Sequence, residues 1–273
     1  MTEKMKAIME AANRVTVRSI ASTPHCVEAK QTPAEILAVA RKRNYHWLPV
    51  RSGGVIRRIM KASDLENLNS WNELESQGRE ITVDDLVADD APMFSALERF
   101  EQGKLLLCLG PDGVDGIVTA HDLNRPAAQL FGFALAIVIE SEVAREIEAG
   151  LPRADEDEAA IRLALEDDPS GRPVLPGRAG KVRRWRKQEQ ESTNLSFISS
   201  LSFGDKLRLV ERNGLSRLSL KCSLPADELL GQLYEVKKLR DGVAHDLPAL
   251  RNHVLVCSRL RTAHRLAHAL TGL

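Results

Sequence analysis

The chain repeats one segment. Arg58-Ile-Met-Lys-Ala-Ser-Asp64-Leu65 returns as Gly116-Ile-Val-Thr-Ala-His-Asp122-Leu123, an offset of 58 residues. In each copy a glycine-containing turn leads into a β-branched run and then into a helix-like stretch. A period of this size signals two copies of one supersecondary unit whose apolar faces cover each other. A second match in the same order, Thr16-Val-Arg-Ser-Ile-Ala21 with Thr82-Val-Asp-Asp-Leu-Val87, places the start of each copy.

Between these anchors, copy one reads as a short strand around Cys26 to Glu28 and then a helix opened by Thr32-Pro33. Glu35 stands where a capping box needs it, and Pro33 suits the first helical turn. Ile36, Val39 and Ala40 recur at helical spacing. A strand from His46 to Val50, a turn at Ser52-Gly53-Gly54 and a strand from Val55 to Met60 follow. Copy two runs through a helix from Pro92 to Glu101, a strand Leu105 to Leu109, a turn Gly110 to Gly113 and a strand Val114 to Thr119.

This strand, helix, strand, strand, helix order, with its Gly-x-x-Thr-x-x-Asp element, resembles a tandem pair of cystathionine-β-synthase-type (CBS) domains. The resemblance implies copies at about 15–70 and 81–125 within residues 1–125, and a site for an adenine nucleotide (AMP or ATP) or S-adenosylmethionine. In that family the Asp accepts from ribose hydroxyls and the Thr holds phosphate, which suits a carboxylate facing vicinal hydroxyls. By that match Thr119 and Asp122 are ligand-binding candidates in copy two. Copy one departs, with Arg58 at the Gly position and Lys61 at the Thr position. Lys61 and Asp64 stay candidates there, since a lysine beside a phosphate is chemically acceptable. The other reading of Thr119 and Asp122 is a helix cap. The stretch from Val87 to Pro92 is short for the strand expected there.

Lys plus Arg and Asp plus Glu number 38 each, so no global field draws the chain to nucleic acid or membrane. The four cysteines form no C-x-x-C pair and lie in apolar segments, so they read as reduced core thiols in a cytoplasmic protein. The first residues are mixed in charge and lack the apolar core of a signal peptide. Leu130 to Ile139, the longest uncharged apolar run, is half a membrane crossing and reads as a core helix.

Past Asn124-Arg125-Pro126 strand signals vanish, which divides the chain into an α+β front and an all-helical rear from residue 126 to 273. Residues 169–180, rich in Pro and Gly, read as a loop. Lys181-Val-Arg-Arg-Trp-Arg-Lys187 is a dense basic cluster: Trp185 stacks bases in one reading and anchors an amphipathic helix in the favoured one. Helices are expected from Ser202 to Val210 and from Pro225 to Arg240. A last helix carries Val256, Leu260, Ala263, Ala267 and Leu270 on one face.

Arg240-Asp-Gly-Val-Ala-His245 between the last two helices resembles the Arg-x4-His motif of the HEPN family (higher eukaryotes and prokaryotes nucleotide-binding). That resemblance implies an HEPN-like helical bundle, a homodimer, and in many members a metal-independent ribonuclease acting on RNA. Arg240, Asp241 and His245 are then the catalytic candidates. A histidine titrating near neutrality takes the proton of a 2′-hydroxyl, and an arginine stabilises phosphoryl oxygens. No cofactor is required for that chemistry. On a straight helix the Arg240 and His245 side chains diverge by roughly 140°, so a site would need two chains or a turn loosened at Gly242. The competing reading is a noncatalytic domain that senses, dimerises or docks a partner, with Arg240 paired to a glutamate such as Glu140 or Glu235. His264 and His268, four residues apart, lack further ligands for a metal and read as surface or interface residues.

Overall fold

A computed structural model describes residues 3–28, 31–68, 70–100, 105–152, 156–167, 171–191, 196–245 and 253–272. The chain divides into two compact units, one of residues 13–128 and one made of Met1–Ala12 with Gln129–Leu273. The first helix, α1 (Glu3–Asn13), therefore clusters with the helical half, where the sequence pattern had assigned it to the front. Met5, Met9 and Ala12, spaced by four and three, are the buried face that places it there.

The front unit is two β-α-β-β copies. Copy one contains β1 (Val27–Glu28), α2 (Pro33–Arg43), β2 (Trp47–Ser52) and β3 (Val55–Lys61). A 3-10 turn (Ala62–Asn67), α3 (Trp71–Gln77) and β4 (Arg79–Glu80) follow. Copy two contains β5 (Leu86–Ala88), α4 (Met93–Arg99), β6 (Leu106–Gly110) and β7 (Gly113–Val118), then a 3-10 turn (Ala120–Asn124). The strand expected between Val87 and Pro92 is β5, three residues that begin at Leu86, one residue earlier. In each copy the first strand pairs parallel with the second, and the second pairs antiparallel with the third. Each hairpin shifts register once, at Val50/Arg51 and at Cys108/Leu109, which lie one repeat length apart. A bulge bends its strand and re-aims the next side chains, so both copies carry the same kink.

Local signals explain the helices. The Thr32 side chain accepts from the Glu35 N–H while Glu35 bonds back to the Thr32 N–H, and Asn44 closes α2 in the left-handed conformation. Val27, Ile36, Leu48, Val50, Met60 and Leu74 form the core of copy one, and Ile59, Leu105 and Leu107 join the two sheets. At about 1.5–3 kcal/mol for each large buried side chain, this apolar burial is the main favourable contribution to the unit.

The helical unit contains residues of α5 (Pro126–Glu148) from Gln129 onward, with α6 (Glu156–Leu165) and α7 (Arg178–Gln190). Then come α8 (Phe197–Ser200), α9 (Phe203–Arg212), α10 (Leu215–Cys222), α11 (Ala226–His245) and α12 (His253–Thr271). Helix α7 starts at Arg178, inside the stretch expected to be loop. Gly177 sits at its N-terminus with a φ of 65°, a left-handed conformation that glycine adopts without strain. Trp185 is buried and meets Phe197 edge to face, so the basic cluster uses it as a packing anchor. The α12 stripe of Val256, Leu260, Ala263, Ala267 and Leu270 is buried as its spacing requires. Helix α5 is the described helix long and apolar enough to cross a membrane, and 61% of that window is buried inside the structure. Phe131, Leu135, Val138, Ile139, Val143 and Ile147 are its large buried apolar residues, and Glu142 and Glu146 are buried with them.

Candidate ligand-binding site

The two repeated motifs adopt the same turn but differ in what their side chains leave available. In copy two the Asp122 carboxylate accepts from the Thr119 N–H and from the Thr119 hydroxyl, both at 2.8 Å. Its second oxygen accepts from the Ser22 hydroxyl at 2.8 Å and faces Arg125 Nε at 3.2 Å. Asp122 is 7% exposed. Thr119 and Asp122 thus satisfy each other as a cap, and the remaining lone pairs are taken by the same unit.

Copy one cannot close in this way, because Lys61 has no hydroxyl to give Asp64. Asp64 is exposed and accepts from the neighbouring Ser63 hydroxyl at 3.1 Å. Lys61 projects instead over the Trp47 ring, with Nζ 5.3 Å from the ring centre. A cavity of about 660 Å³ opens there. Trp47, Ile59, Lys61 and Ser63 of copy one line it together with Arg79, Thr82, Asp84 and Leu105. Asp64 is not among its lining residues. Arg79 grips Asp85 with both terminal nitrogens at 2.7 Å, and Asp85 also accepts from the Thr82 N–H and hydroxyl. The Arg79 bonds, ahead of those from Thr82, hold the Asp85 carboxyl down to about 2 despite its burial. This wall of the cavity is therefore a fixed ion pair, and Lys61 lines the cavity with its ammonium over the Trp47 ring.

Arg58, at the position where copy two has Gly116, is accommodated by a second glycine. A Cβ on Gly116 would lie 2.9 Å from Cys108 Cβ and 3.2 Å from Ala21 Cβ. In copy one the close neighbour of Arg58 is Gly78, whose own Cβ would come within 3.3 Å of Arg58 Cβ. Arg58 reaches past it to the Ser76 and Gly78 carbonyls and to Glu80. The small residue has moved from one strand to the opposing segment, which sequence matching alone does not show.

In the helical unit α11 runs without interruption through Gly242 to His245, so the Arg240 and His245 positions stay about 140° apart around its axis. The His245 side chain lies outside the described residues, as do Asp246 and Pro248. Arg240 Nε is 3.0 Å from Glu140 Oε2, an ion pair without a directed hydrogen bond from that nitrogen. Glu140 also accepts from Lys206 at 2.7 Å. Asp241 is held by Lys237 and lies 3.5 Å from Arg240 Nη1. Lys206 is 6% exposed, and Glu140, Lys237, Arg240 and Asp241 are half-buried. His264 is buried within its own unit, where the sequence reading was a surface or interface position. It stacks on Phe131 and lies 4.2 Å, ring centre to ring centre, from His268. Burial, reinforced by His268, pushes its pKa down to about 4. Among the described residues no three His, Cys, Asp or Glu side chains gather as a metal-ligand set.

No protein-family description matches the chain, and no curated protein matches it. Solved structures resemble it over part of its length. The CBS domain of a bacterial CNNM/CorC family Mg2+ transporter in complex with ATP is 21% identical, with a TM-score of 0.33, over 44% of this chain and 92% of that one. The CBS domain pair of protein MJ0100, in complex with 5′-methylthioadenosine and S-adenosyl-L-methionine, is 20% identical over 40% and 97%, with a TM-score of 0.33. A CBS-pair protein of Arabidopsis thaliana is 19% identical over 42% and 95%, also at 0.33.

Proposed function

We propose that residues 13–128 form a tandem CBS-type module that binds an adenine nucleotide or S-adenosylmethionine and regulates the helical unit. The observation that carries this reading is the cavity at Trp47 and Lys61, because it combines what such a ligand needs. Trp47, Ile59 and Leu105 offer an apolar wall for a base, Lys61 a cation for phosphate, and Asp84 a carboxylate for hydroxyls. The matched bulges and reciprocal motif turns support the twofold repeat on which the reading depends. Buried Cys108 and Cys257 thiols fit a reducing compartment such as the cytoplasm.

For the helical unit we infer a noncatalytic role in dimerisation or partner docking, in place of an HEPN-type ribonuclease. Arg240 would have to leave its ion pair with Glu140 to meet a phosphate, leaving that carboxylate with Lys206 as its remaining partner.

Thermal melting of the full chain with AMP, ATP and S-adenosylmethionine tests the front module. At 100 times its dissociation constant a ligand stabilises by about 2.7 kcal/mol, enough to raise the transition visibly. A rise with at least one of them is expected. An unchanged melt with all three at millimolar concentration refutes the module.

A further inference from the structure

We propose that the β-bulge of copy one builds a separate site for a small organic acid, whose carboxylate or phosphate is held by Arg57 and Arg58. This site shares no lining residue with the Trp47 cavity and is independent of what that cavity binds.

The bulge brings the two arginines together. Val50 pairs with Arg58 and Arg51 with Ile56, so Arg57 is the extra residue of β3. A regular strand sends neighbouring side chains to opposite faces, and a bulge breaks that alternation. Both arginines accordingly line one cavity of about 670 Å³, a volume suited to a small ligand. Its other lining residues come from β2, β3, α3 and the segment at Glu80 and Ile81, with none from copy two.

The two guanidiniums are held differently. Arg58 is fixed: Nη1 donates to the Ser76 and Gly78 carbonyls at 3.2 and 3.0 Å, and Nη2 donates to Glu80 at 3.2 Å. Arg57 is tied through its backbone, whose carbonyl accepts from the Ile81 N–H at 3.1 Å. Its exposed side chain makes no ion pair or hydrogen bond among the described residues. Glu80 is the one carboxylate among the described lining residues, so two arginines leave a positive charge for a ligand oxyanion to meet. Ser52, Asn72 and Ser76 offer polar partners around it, and Val50, Ile56 and Ile81 an apolar surface for a carbon body.

Copy two shows that the bulge itself does not require arginine. Its extra residue is Asp115, followed by Gly116, and Asp115 pairs with Arg18 at 2.7 Å. The same backbone feature thus carries the opposite charge, already neutralised, one repeat away.

Melting curves of the full chain titrated with succinate, benzoate, glycerol phosphate and inorganic phosphate test the site. At least one is expected to raise the melting temperature saturably, beyond sodium chloride at equal ionic strength; which one identifies the acid group. Arg57→Gln is expected to weaken that acid by about tenfold, the loss of a hydrogen-bonded charged partner, while its ligand-free melt matches the parent's. Lys61→Met, in the other cavity, is expected to change the affinity by less than about twofold. No saturable rise with any of the four, an unaltered affinity in Arg57→Gln, or a loss in Lys61→Met overturns the site. A chain that answers these acids but not AMP, ATP or S-adenosylmethionine keeps this site and loses the adenine-binding reading, and the reverse pattern does the opposite.

Discussion

At the scale of single residues, one substitution between repeats decides whether the motif aspartate is capped by its own turn. Thr119 carries a hydroxyl that closes onto Asp122; Lys61 at the matching position does not. The residue types that resemble the family motif most closely are thus those the protein spends on its own turn, and the departing residue borders the cavity. Sequence identifies both sets of candidates, because Asp64 and Asp122 stand at one offset. It does not reveal Ser22 and Arg125 as the partners of Asp122, since Ser22 lies 100 residues away along the chain. The glutamate partner of Arg240 was legible as one of two choices, and the structure selects Glu140. His264 carries a prediction. Its folded pKa of about 4 lies below the ordinary value of 6.5, so between those values the unfolded chain binds more protons than the folded one. Stability of the helical unit is therefore full above pH 6.5 and falls as pH drops toward 4. His264→Phe is expected to flatten that fall by roughly 2–3 kcal/mol, read from denaturant melts at pH 7 and pH 4.5. An equally steep fall in the variant would show that the imidazole is not its source.

At the scale of elements, periodicity and punctuation place most of the strands and helices within a few residues. The Thr32-Pro33-Glu35 box opens α2, and the apolar stripe of α12 predicts its buried face. What escapes the sequence is whatever depends on a facing strand. The β-bulges at Val50/Arg51 and Cys108/Leu109 have no local signature, and β5 is too short to show alternation. Gly116 belongs to the same class: its need for a missing side chain comes from Cys108 and Ala21 across the sheet. Gly116→Ala is expected to destabilise the front unit by about 1–3 kcal/mol, because the obstructing atoms are Cβ atoms fixed to backbone. Urea denaturation checks it. A variant as stable as the parent would mean that β6 and β7 separate freely at this point.

At the scale of the whole molecule, the change from α+β to all-helical character near residue 126 was legible as a loss of strand signals. The allegiance of α1 was not, because a short amphipathic helix carries no address for the face it joins. The functional division follows from where charge is spent. In the helical unit Glu140, Lys206, Arg240, Asp241 and Lys237 are bound to one another, an arrangement that stabilises packing. Full-length protein incubated with single-stranded RNA and EDTA is accordingly expected to leave it intact. Cleavage that disappears in both Arg240→Ala and His245→Ala would reverse that reading and restore the nuclease. In the front unit the free charge faces an open cavity, and the central claim is that an adenine nucleotide fills it.

Tryptophan fluorescence during an ATP titration tests that claim most directly, since Trp47 lines the cavity while Trp71 and Trp185 are absent from its lining. Saturable quenching is expected in the parent, with most of the signal lost in Trp47→Phe while the ATP-induced rise in melting temperature persists. No change in emission with ATP, or the same change after Trp47 is replaced, would contradict it.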